Sequence, residues 1–266
     1  MSEDRDVQRW VSPEFPSSAR IRNYWSGGKD YYEVDRIVGD RCIEEYPDIT
    51  TMAVQSRQFL IRSVRYLAEQ GVRQFIDIGC GLPVIDNTHE VAQAVAAEAK
   101  VIYVDHDPLV LTHARALLTS TTAEGVVTYI DSDLHDPERI ISDAKNVFDF
   151  RKPIAVMLMG VLGQVDDYVR LRWIVDTLMK AVPTGSYLAM WHGTDDSQYY
   201  KSMCHVYADQ VGVPLVPRMR SDVEAVFDGL EIVDPGIVSI TQWRTPEADV
   251  GEIRSISAYG AVARKP

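Results

Sequence analysis

The sequence is poor in cysteine, and its few thiols do not suggest structural use. Its 266 residues include 3 cysteines, Cys42, Cys80 and Cys204, which are widely spaced. An odd number of scattered thiols is typical of a reducing compartment and argues against a disulfide framework. No pair of them has metal-ligand spacing, and no His-rich or Cys-rich segment indicates a metal site. We therefore expect no metal cofactor.

Basic residues are also scarce. The chain has 27 Lys and Arg residues against 39 Asp and Glu residues, a formal net charge of −12. Proteins that bind nucleic acid hold the phosphate backbone with a basic face. Anionic membrane surfaces likewise attract basic segments. The acidic balance predicts that neither nucleic acid nor a membrane is the partner.

Long apolar runs are absent as well. The longest, residues 154–162, is far too short to span a bilayer. The first six residues are polar and charged and lack the apolar stretch of a signal peptide. We expect a cytoplasmic protein. At this length, with 46% hydrophobic residues, the chain suits one large α/β domain or one domain with an added cap.

The chain does contain a regular alternation of strand and helix patterns. Residues 1–19 are polar and read as an extended arm, and helices are expected on both sides of the Gly27-Gly28 pair. An amphipathic helix is predicted over 50–70. Strands follow near 74–79, 100–105, 126–131, 153–160 and 186–192, and helices near 87–98, 107–119, 135–145, 167–181 and 196–211. A short helix up to Phe227, a strand at 230–233 and a last strand at 256–263, antiparallel to it, complete the pattern. Such alternation indicates a doubly wound α/β fold with a mostly parallel sheet.

A glycine turn follows the first of these strands. The run Gly79-Cys80-Gly81-Leu82-Pro83-Val84 lacks the third glycine of a dinucleotide fingerprint and contains a proline, so a tight pyrophosphate cradle is not expected. Asp77, inside the apolar strand, suits an amine-bearing ligand better than a phosphate. Asp105 ends the next strand, where a carboxylate can accept hydrogen bonds from ribose hydroxyls. The combination favours S-adenosylmethionine over NAD.

His106 and the ends of two further strands agree with a nucleoside-bearing cofactor. His106 follows Asp105 and could lie against the adenine ring, and Asp133 and Leu134 follow the third strand, where an acid could accept from the adenine amino group. Gly160 ends the fourth strand, where the methionine chain would pass. Open α/β sheets bind ligands at this edge. Asp107, by contrast, precedes a proline and is expected to cap a helix.

These motifs resemble the actinobacterial S-adenosylmethionine-dependent methyltransferase family formerly catalogued as a domain of unknown function. The similarity covers nearly the whole chain. The matching segments are residues 18–30, 35–36, 77–83, 87–93, 104–108, 113–118, 133–137 and 227–231.

The resemblance implies a class I, Rossmann-like fold with a seven-stranded, mostly parallel sheet in the order 3-2-1-4-5-7-6. It also implies an N-terminal helical arm or lid, residues 1–50, folding over a cofactor-binding domain, residues 51–266. By this resemblance alone, Arg20, Tyr24, Gly28 and Lys29 lie at or near the cofactor pocket.

Methyl transfer requires that the acceptor be aligned with the methyl group. A base is needed only if the acceptor must lose a proton. His192, at the end of the fifth strand, is the candidate base; its alternative role is a hydrogen bond to the following loop. Other acceptor-side candidates are Tyr24, Trp25, Gln164, Tyr199, Tyr200 and His205.

The sequence thus predicts an S-adenosylmethionine-dependent methyltransferase acting on a small-molecule acceptor in secondary metabolism. Two alternatives stay open. One is a protein that binds S-adenosylmethionine or S-adenosylhomocysteine without transferring methyl, as a sensor or for another reaction. The less favoured one is a nicotinamide-dependent oxidoreductase.

Overall fold

Five parallel strands form the centre of the fold, in the order β3-β2-β1-β4-β5. The computed structural model describes residues 12–246 and 254–266. The strands are β1 (Gln74–Ile78), β2 (Lys100–Asp105), β3 (Val126–Asp131), β4 (Ala155–Met159) and β5 (Tyr187–Gly193). All of β1, β4 and β5 are buried. Their apolar runs are those of strands covered on both faces.

The sheet continues with a reversed strand. β8 (Ala258–Arg264) pairs antiparallel with β5, and β6 (Glu231–Ile232) and β7 (Val238–Ser239) pair antiparallel with β8. With β8 between β5 and β6, the order is β3-β2-β1-β4-β5-β8-β6. This confirms the expected 3-2-1-4-5-7-6 arrangement. The two-residue β7 was not expected from the sequence.

Helices cover both faces of the sheet. They are α1 (Ser18–Trp25), α2 (Glu33–Glu45), α3 (Asp48–Glu69), α4 (Thr88–Val95), α5 (Pro108–Leu117), α6 (Pro137–Ala144), α7 (Tyr168–Ala181), α8 (Gln198–Val211) and α9 (Arg220–Ala225), with a 3₁₀ turn at Val161–Gln164. None of the helices in the described ranges is long and apolar enough to cross a membrane.

Local capping explains where several helices begin. Asp107, Asp136, Asp167 and Ser197 each accept a hydrogen bond from a backbone N–H in the first turn of the next helix. Caps of this kind satisfy donors that the helix itself leaves unpaired. The predicted helices at 135–145 and 196–211 therefore begin two residues later than expected.

Two apolar cores lie on the two faces. One packs α1–α5 and α8 against the sheet side chains of Phe75, Met157 and Trp191. The other packs α6, α7 and α9 against Ile76, Leu158 and Met190. Because α1 and α2 share a core with the sheet, the described part of the arm is packed onto it; residues 1–11 of the predicted extended arm lie outside the described residues. The predicted boundary at residue 50 lies inside α3, and the division of the chain there stays a prediction.

Candidate functional site

The glycine turn after β1 has a backbone that favours glycine. Gly79 and Gly81 have φ angles of 70° and 66°. A Cβ on Gly79 would come within 2.3 Å of Val161 Cγ2, whereas a Cβ on Gly81 would point into open space. L-residues pay a steric penalty in this left-handed region. The turn therefore brings bare backbone to the edge of the sheet, with room above Gly81.

Asp105, at the end of β2, holds that turn in place. Its Oδ2 accepts from the Gly81 N–H at 3.1 Å, and its Oδ1 accepts from the N–H groups of His106 and Asp107 at 2.9 and 3.0 Å. Carboxylate oxygens have further lone pairs beyond those used here. Asp105 can thus organise the loop and still accept from a ligand.

Asp77 is a buried acid within β1. Its Oδ2 accepts from Thr88 Oγ1 at 2.6 Å, and its exposed fraction is 3%. Burial raises the pKa of this carboxyl, while the Thr88 hydrogen bond and the charges of Arg57 and Arg22 oppose that rise. A buried carboxylate near two guanidinium groups is part of a charged cluster beside the turn.

Helix α1 docks over the strand ends. Ser17 Oγ donates to Asp107 Oδ2 at 3.3 Å, and Arg22 Nη1 donates to the Met159 carbonyl at 3.0 Å. Asp107 also caps α5 by accepting from Leu109 N. These contacts join α1 to β2 and β4 and close a space between the arm and the sheet edge.

Three cavities lie in that space. The first, here termed the acid-lined cavity, has a volume of about 180 Å³. It is bordered by Asp105, Asp107 and Asp133 together with His106 and Leu134. His135 donates to Asp133 Oδ1 from its backbone N–H at 2.8 Å. This cavity offers carboxylate acceptors and a ring at the ends of β2 and β3.

The second, termed the loop cavity, has a volume of about 470 Å³ and lies under residues 79–86. Asp77, Gly28, Asn23 and Arg57 line it. The Arg57 guanidinium donates to the Ile85 carbonyl at 3.0 Å from Nη2. The cavity therefore combines a buried acid with a cation.

The third, termed the aromatic cavity, is smaller, at about 60 Å³. It lies where β4 and β5 end, against α1, α3 and α8. Its walls include Trp25, Trp191, Tyr200 and Tyr207. Gly160 and Gly193 let two of these rings approach the backbone, because a Cβ there would lie 2.3 Å from Trp191 and 2.2 Å from the Tyr200 hydroxyl.

One residue lines all three cavities. Arg22 borders each of them. Ser18 lines both the acid-lined and the aromatic cavity, and Ser56 lines both the loop and the aromatic cavity. The cavities are thus branches of one site around the Arg22 guanidinium.

Most of the residues predicted from the sequence line this site. The acid-lined cavity contains Asp105, His106, Asp133 and Leu134, the loop cavity contains Gly28 and Asp77, the turn glycines Gly79 and Gly81 border both, and Gly160 and His192 line the aromatic cavity. Trp25, Gln164 and Tyr200, proposed for the acceptor side, also line the aromatic cavity.

Three residues that the family resemblance implies at or near the cofactor pocket do not line the cavities, and their role there stays a prediction. Arg20 is buried in an ion pair with Asp35, with 2.6 Å between Nε and Oδ2. Tyr24 donates from its hydroxyl to Asp40, and Lys29 is exposed. None of the three lines a cavity described above. Tyr199 and His205 are exposed on α8.

His192 lies at the cavity, but its ring faces away from the aromatic wall. Side chains alternate along a strand, so His192 shares a face with Met190 and lies opposite Trp191. Its Nδ1 is 2.8 Å from the Gly193 carbonyl oxygen. Burial lowers its pKa to about 4, so the ring is neutral at pH 7. Its role as a base stays a prediction.

The sequence reasoning missed Arg22, Ser56 and Arg57. Arg22 is two residues from Arg20 on α1, so the two side chains leave the helix in different directions. Ser18 and Arg22 are four residues apart and share a face. That shared polar face was the one sequence pattern that could have indicated Arg22 as a site residue. Ser56 and Arg57 gave none, because α3 reads as an amphipathic core helix.

The fold and the site define a class I methyltransferase: the strand order, the reversed β8, the glycine turn and the acid ending β2 occur together. The chain belongs to the S-adenosyl methyltransferase family, whose model matches residues 4–266. The resemblance recognised from the sequence is thereby confirmed. The protein is an S-adenosylmethionine-dependent methyltransferase, and S-adenosylmethionine is its cofactor.

Solved structures agree with this assignment. A DUF574 family protein from Streptomyces avermitilis is 39% identical, with a TM-score of 0.90 over 98% of this chain and 100% of that one. A proposed methyltransferase from Thermobifida fusca is 34% identical, with a TM-score of 0.87 over 96% and 97%. No curated protein matches the sequence.

A more distant neighbour shows the same fold. The plantazolicin methyltransferase BpumL is 11% identical, with a TM-score of 0.52 over 100% of this chain and 99% of that one. Its structure contains S-adenosylhomocysteine and a triazolic desmethylPZN analogue.

The residues of this chain fit the cofactor. Open space above Gly81 adjoins carboxylates on one side and the Asp77–Arg57 cluster on the other. The carboxylates of the acid-lined cavity can accept hydrogen bonds from a nucleoside, and the loop cavity offers both an acid and a cation to an amino-acid group. Within the ranges that the structure describes, no group of three or more His, Cys, Asp or Glu residues could hold a metal ion.

Proposed function

We propose that this methyltransferase acts on a small molecule whose reacting group enters the aromatic cavity. The observation that carries the proposal is the branching of the site at Arg22, which joins a small aromatic cavity to two larger ones with the polar groups that a cofactor needs. Small-molecule sites are concave and mostly apolar, with a few polar groups that fix orientation. The aromatic cavity has this character.

The cofactor occupies the other two branches in this proposal. Asp105, His106, Asp133 and Leu134 receive the nucleoside in the acid-lined cavity. Asp77 receives the amino group in the loop cavity, where Gly28 and the turn glycines leave room. The cofactor, when bound, supplies an activated methyl group on sulfur. The protein's task is to align the acceptor and exclude water.

The aromatic walls set the size and polarity of the acceptor. The aromatic cavity, at about 60 Å³, is well below the roughly 150 Å³ that holds a benzene ring, so it admits a small group of the acceptor rather than a whole ring. Trp25, Trp191, Tyr200 and Tyr207 present ring faces or edges that favour a planar apolar group. A folded macromolecule could enter only through a protruding side chain or base.

No side chain on the aromatic wall is suited to remove a proton near neutral pH. Burial raises the pKa of Tyr200 well above its ordinary value and that of Tyr207 to about 12, so both hydroxyls stay protonated. The His192 ring lies on the opposite face of β5. We infer that the acceptor attacks through a group that needs no protein base, such as an ionised oxygen or a free amine.

The same binding geometry would serve a sensor that never transfers methyl, so turnover must be measured. Calorimetric titration with S-adenosylmethionine, S-adenosylhomocysteine and NAD tests the cofactor first. Tight binding of the two sulfur compounds with no response to NAD is expected. Binding of NAD alone would overturn the assignment of the glycine turn.

Transfer of label then tests the acceptor class. The protein is incubated with methyl-labelled S-adenosylmethionine and an extract of the producing cells, and the products are separated by size. Label is expected in the small-molecule fraction. Label confined to protein or nucleic acid would contradict the proposal, and formation of no labelled product would favour the sensor. Loss of a methylated secondary metabolite in a deletion strain would test the metabolic assignment.

A further inference from the structure

Arg22 lies where the two cavities assigned to the cofactor meet. The acid-lined cavity and the loop cavity have four lining residues in common, namely Ala19, Arg22, Gly79 and Gly81. The two glycines belong to the glycine turn, and the other two residues belong to α1. Arg22 is the charged member of this common set. A ligand that extends from one cavity into the other therefore passes the Arg22 guanidinium.

The Arg22 guanidinium has donors available to such a ligand. Its Nη1 donates to the Met159 carbonyl at 3.0 Å, which is its one hydrogen bond to the described residues. None of the ion pairs found among those residues includes Arg22. A guanidinium has five N–H donors in a planar fork. Most of them are thus left for a bound molecule.

The charge of Arg22 is also incompletely compensated. Burial lowers the pKa of its guanidinium, and the negative charges of Asp105 and Asp77 oppose this only in part. A desolvated cation without a hydrogen-bonded counter-ion is costly. An anionic group bound beside Arg22 would remove that cost. Position and charge together therefore suit Arg22 to an anionic group of the cofactor.

S-adenosylmethionine has one anionic group, the carboxylate of its amino-acid end. This carboxylate is attached to the same carbon as the amino group, which the proposed function assigns to Asp77. The carboxylate must therefore lie close to Asp77. The positive charges of Arg57 and Arg22 both act on the Asp77 carboxyl and oppose the rise in its pKa. Either arginine is thus a candidate partner of the cofactor carboxylate.

Arg57 is already engaged by the loop that follows the glycine turn. Its Nε and Nη2 donate to the Ile85 carbonyl at 3.2 and 3.0 Å, and Nη2 also donates to Asn87 Oδ1 at 3.4 Å. Its charge affects Asp77 more strongly than that of Arg22 does. It lines the loop cavity but not the acid-lined cavity. Arg57 therefore serves as the counter-charge of Asp77, and Arg22 is left for the carboxylate.

We propose that Arg22 binds the carboxylate of S-adenosylmethionine and thereby joins the arm helix α1 to the cofactor. This inference rests on the proposed function, because it takes the acid-lined and loop cavities as the cofactor site. Guanidinium–carboxylate pairs are frequently bidentate, so the pairing would fix orientation as well as charge. The Met159 contact of Arg22 also joins α1 to β4. A cofactor with its carboxylate should therefore stabilise α1 more than one without it.

Two ligands that differ only in the carboxylate test this assignment. S-adenosyl-3-thiopropylamine has the nucleoside, sulfur and amine of S-adenosylhomocysteine but lacks its carboxylate. In calorimetric titrations, the unaltered protein should bind S-adenosylhomocysteine at least about ten-fold more tightly, the effect of one charge-assisted hydrogen-bonded pair. Equal affinities would overturn the inference. If the unaltered protein binds neither ligand, the proposed function itself fails.

Two arginine variants separate the two candidate partners. Arg22→Gln should weaken S-adenosylhomocysteine binding about ten-fold and leave S-adenosyl-3-thiopropylamine binding nearly unchanged, so that the preference for the carboxylate disappears. Arg57→Gln is the matched control and should change both affinities by the same factor, so that the preference remains. If Arg22→Gln does not fold, judged by its thermal transition, Arg22→Lys serves instead and should retain part of the preference.

Two results with these variants would overturn the inference. Loss of the preference in Arg57→Gln alone would assign the carboxylate to Arg57. Equal weakening of both ligands in Arg22→Gln would show that Arg22 only supports the packing of α1.

Hydrogen exchange of the α1 amides gives a readout that does not depend on affinity. With each ligand at saturation, S-adenosylhomocysteine should slow exchange over Ser18–Trp25 more than S-adenosyl-3-thiopropylamine does. This difference should vanish in Arg22→Gln. Equal exchange with the two ligands in the unaltered protein would show that the carboxylate does not reach the arm and would contradict the inference.

Discussion

Arg20 and Asp35 form a buried ion pair that joins the two arm helices. The distance between Arg20 Nε and Asp35 Oδ2 is 2.6 Å, and the two side chains are 2% and 0% exposed. Asp35 also accepts from the backbone N–H groups of Ser17 and Tyr32. One carboxylate therefore organises the start of α1 and the start of α2, and so the position of Arg22 above the sheet edge.

Removing Arg20 should destabilise the protein strongly. Arg20→Ala leaves the Asp35 carboxylate buried without its partner, a change that typically costs about 3–5 kcal/mol. Chemical denaturation should show this loss as a lower midpoint. Arg36→Gln, which breaks exposed pairs with Glu33 and Asp40 on α2, is the control and should change the midpoint little. Equal effects of the two changes would contradict the structural role given to Arg20.

Asp105→Ala should weaken S-adenosylmethionine binding by about ten-fold or more. The change leaves the ribose hydroxyls without an acceptor and frees the Gly81 N–H that Asp105 holds. Calorimetric titration measures the effect. Asp131→Ala is a matched control, because Asp131 is the register partner of Asp105 on β3, is exposed and lines none of the three cavities. An unchanged affinity in Asp105→Ala would refute the ribose assignment.

Gly81→Ala should lose both stability and cofactor affinity, whereas Gly71→Ala should lose stability alone. Both glycines have positive φ angles, 66° and 91°, and both have open space at the Cβ position. An alanine in this region costs about 1–2 kcal/mol at either site. Only the methyl group at position 81 would project toward the cofactor. Denaturation midpoints and calorimetric affinities, measured on both variants, separate the two effects; similar affinities would argue against a cofactor above Gly81.

The lowered pKa of His192 should make the folded protein less stable at acid pH than at neutral pH. Its pKa is lowered to about 4 in the folded chain, against about 6.5 in an unfolded one. Between these values the unfolded state binds more protons, so the free energy of unfolding falls as the pH is lowered from 6.5 toward 4. The full effect of this shift is about 3 kcal/mol.

The replacement His192→Asn keeps a donor for the Gly193 carbonyl and removes the titration. The difference in unfolding free energy between the parent protein and this variant should be constant above pH 6.5 and should shrink below it. A difference independent of pH between 4 and 7 would show that His192 does not titrate in this way. Activity that falls with a pKa near 6.5 in the parent alone would instead indicate an accessible, catalytic imidazole.

Much of the fold follows from local sequence patterns. The runs Phe75–Ile78 and Val101–Val104 are apolar enough to be read as buried strands, and the helices between strands have apolar positions at helical spacing. Helix ends differed by up to three residues, because capping by residues such as Asp136 and Ser197 decides where a helix begins. β7 was missed because its two residues form a strand only by pairing with β8.

The site was partly predictable because it, too, follows in part from local sequence patterns. Parallel strands place their carboxyl ends at one edge, so Gly79, Asp105, Asp133 and Gly160 could be grouped before any contact was known. What the sequence by itself determined is therefore the cofactor edge: the strands, the glycine turn and the acids that follow them are each encoded within a few consecutive residues.

Only the tertiary structure decided which side chains face that edge. Arg22 rather than Arg20 borders the cavities, His192 faces away from the aromatic wall, and Ser56 and Tyr207 reach the site from α3 and α8. These placements depend on how helices distant in sequence rotate and pack against the sheet. Rotation of a helix is fixed by the sum of its contacts, such as the Arg20–Asp35 pair, and no spacing along the chain specifies that sum.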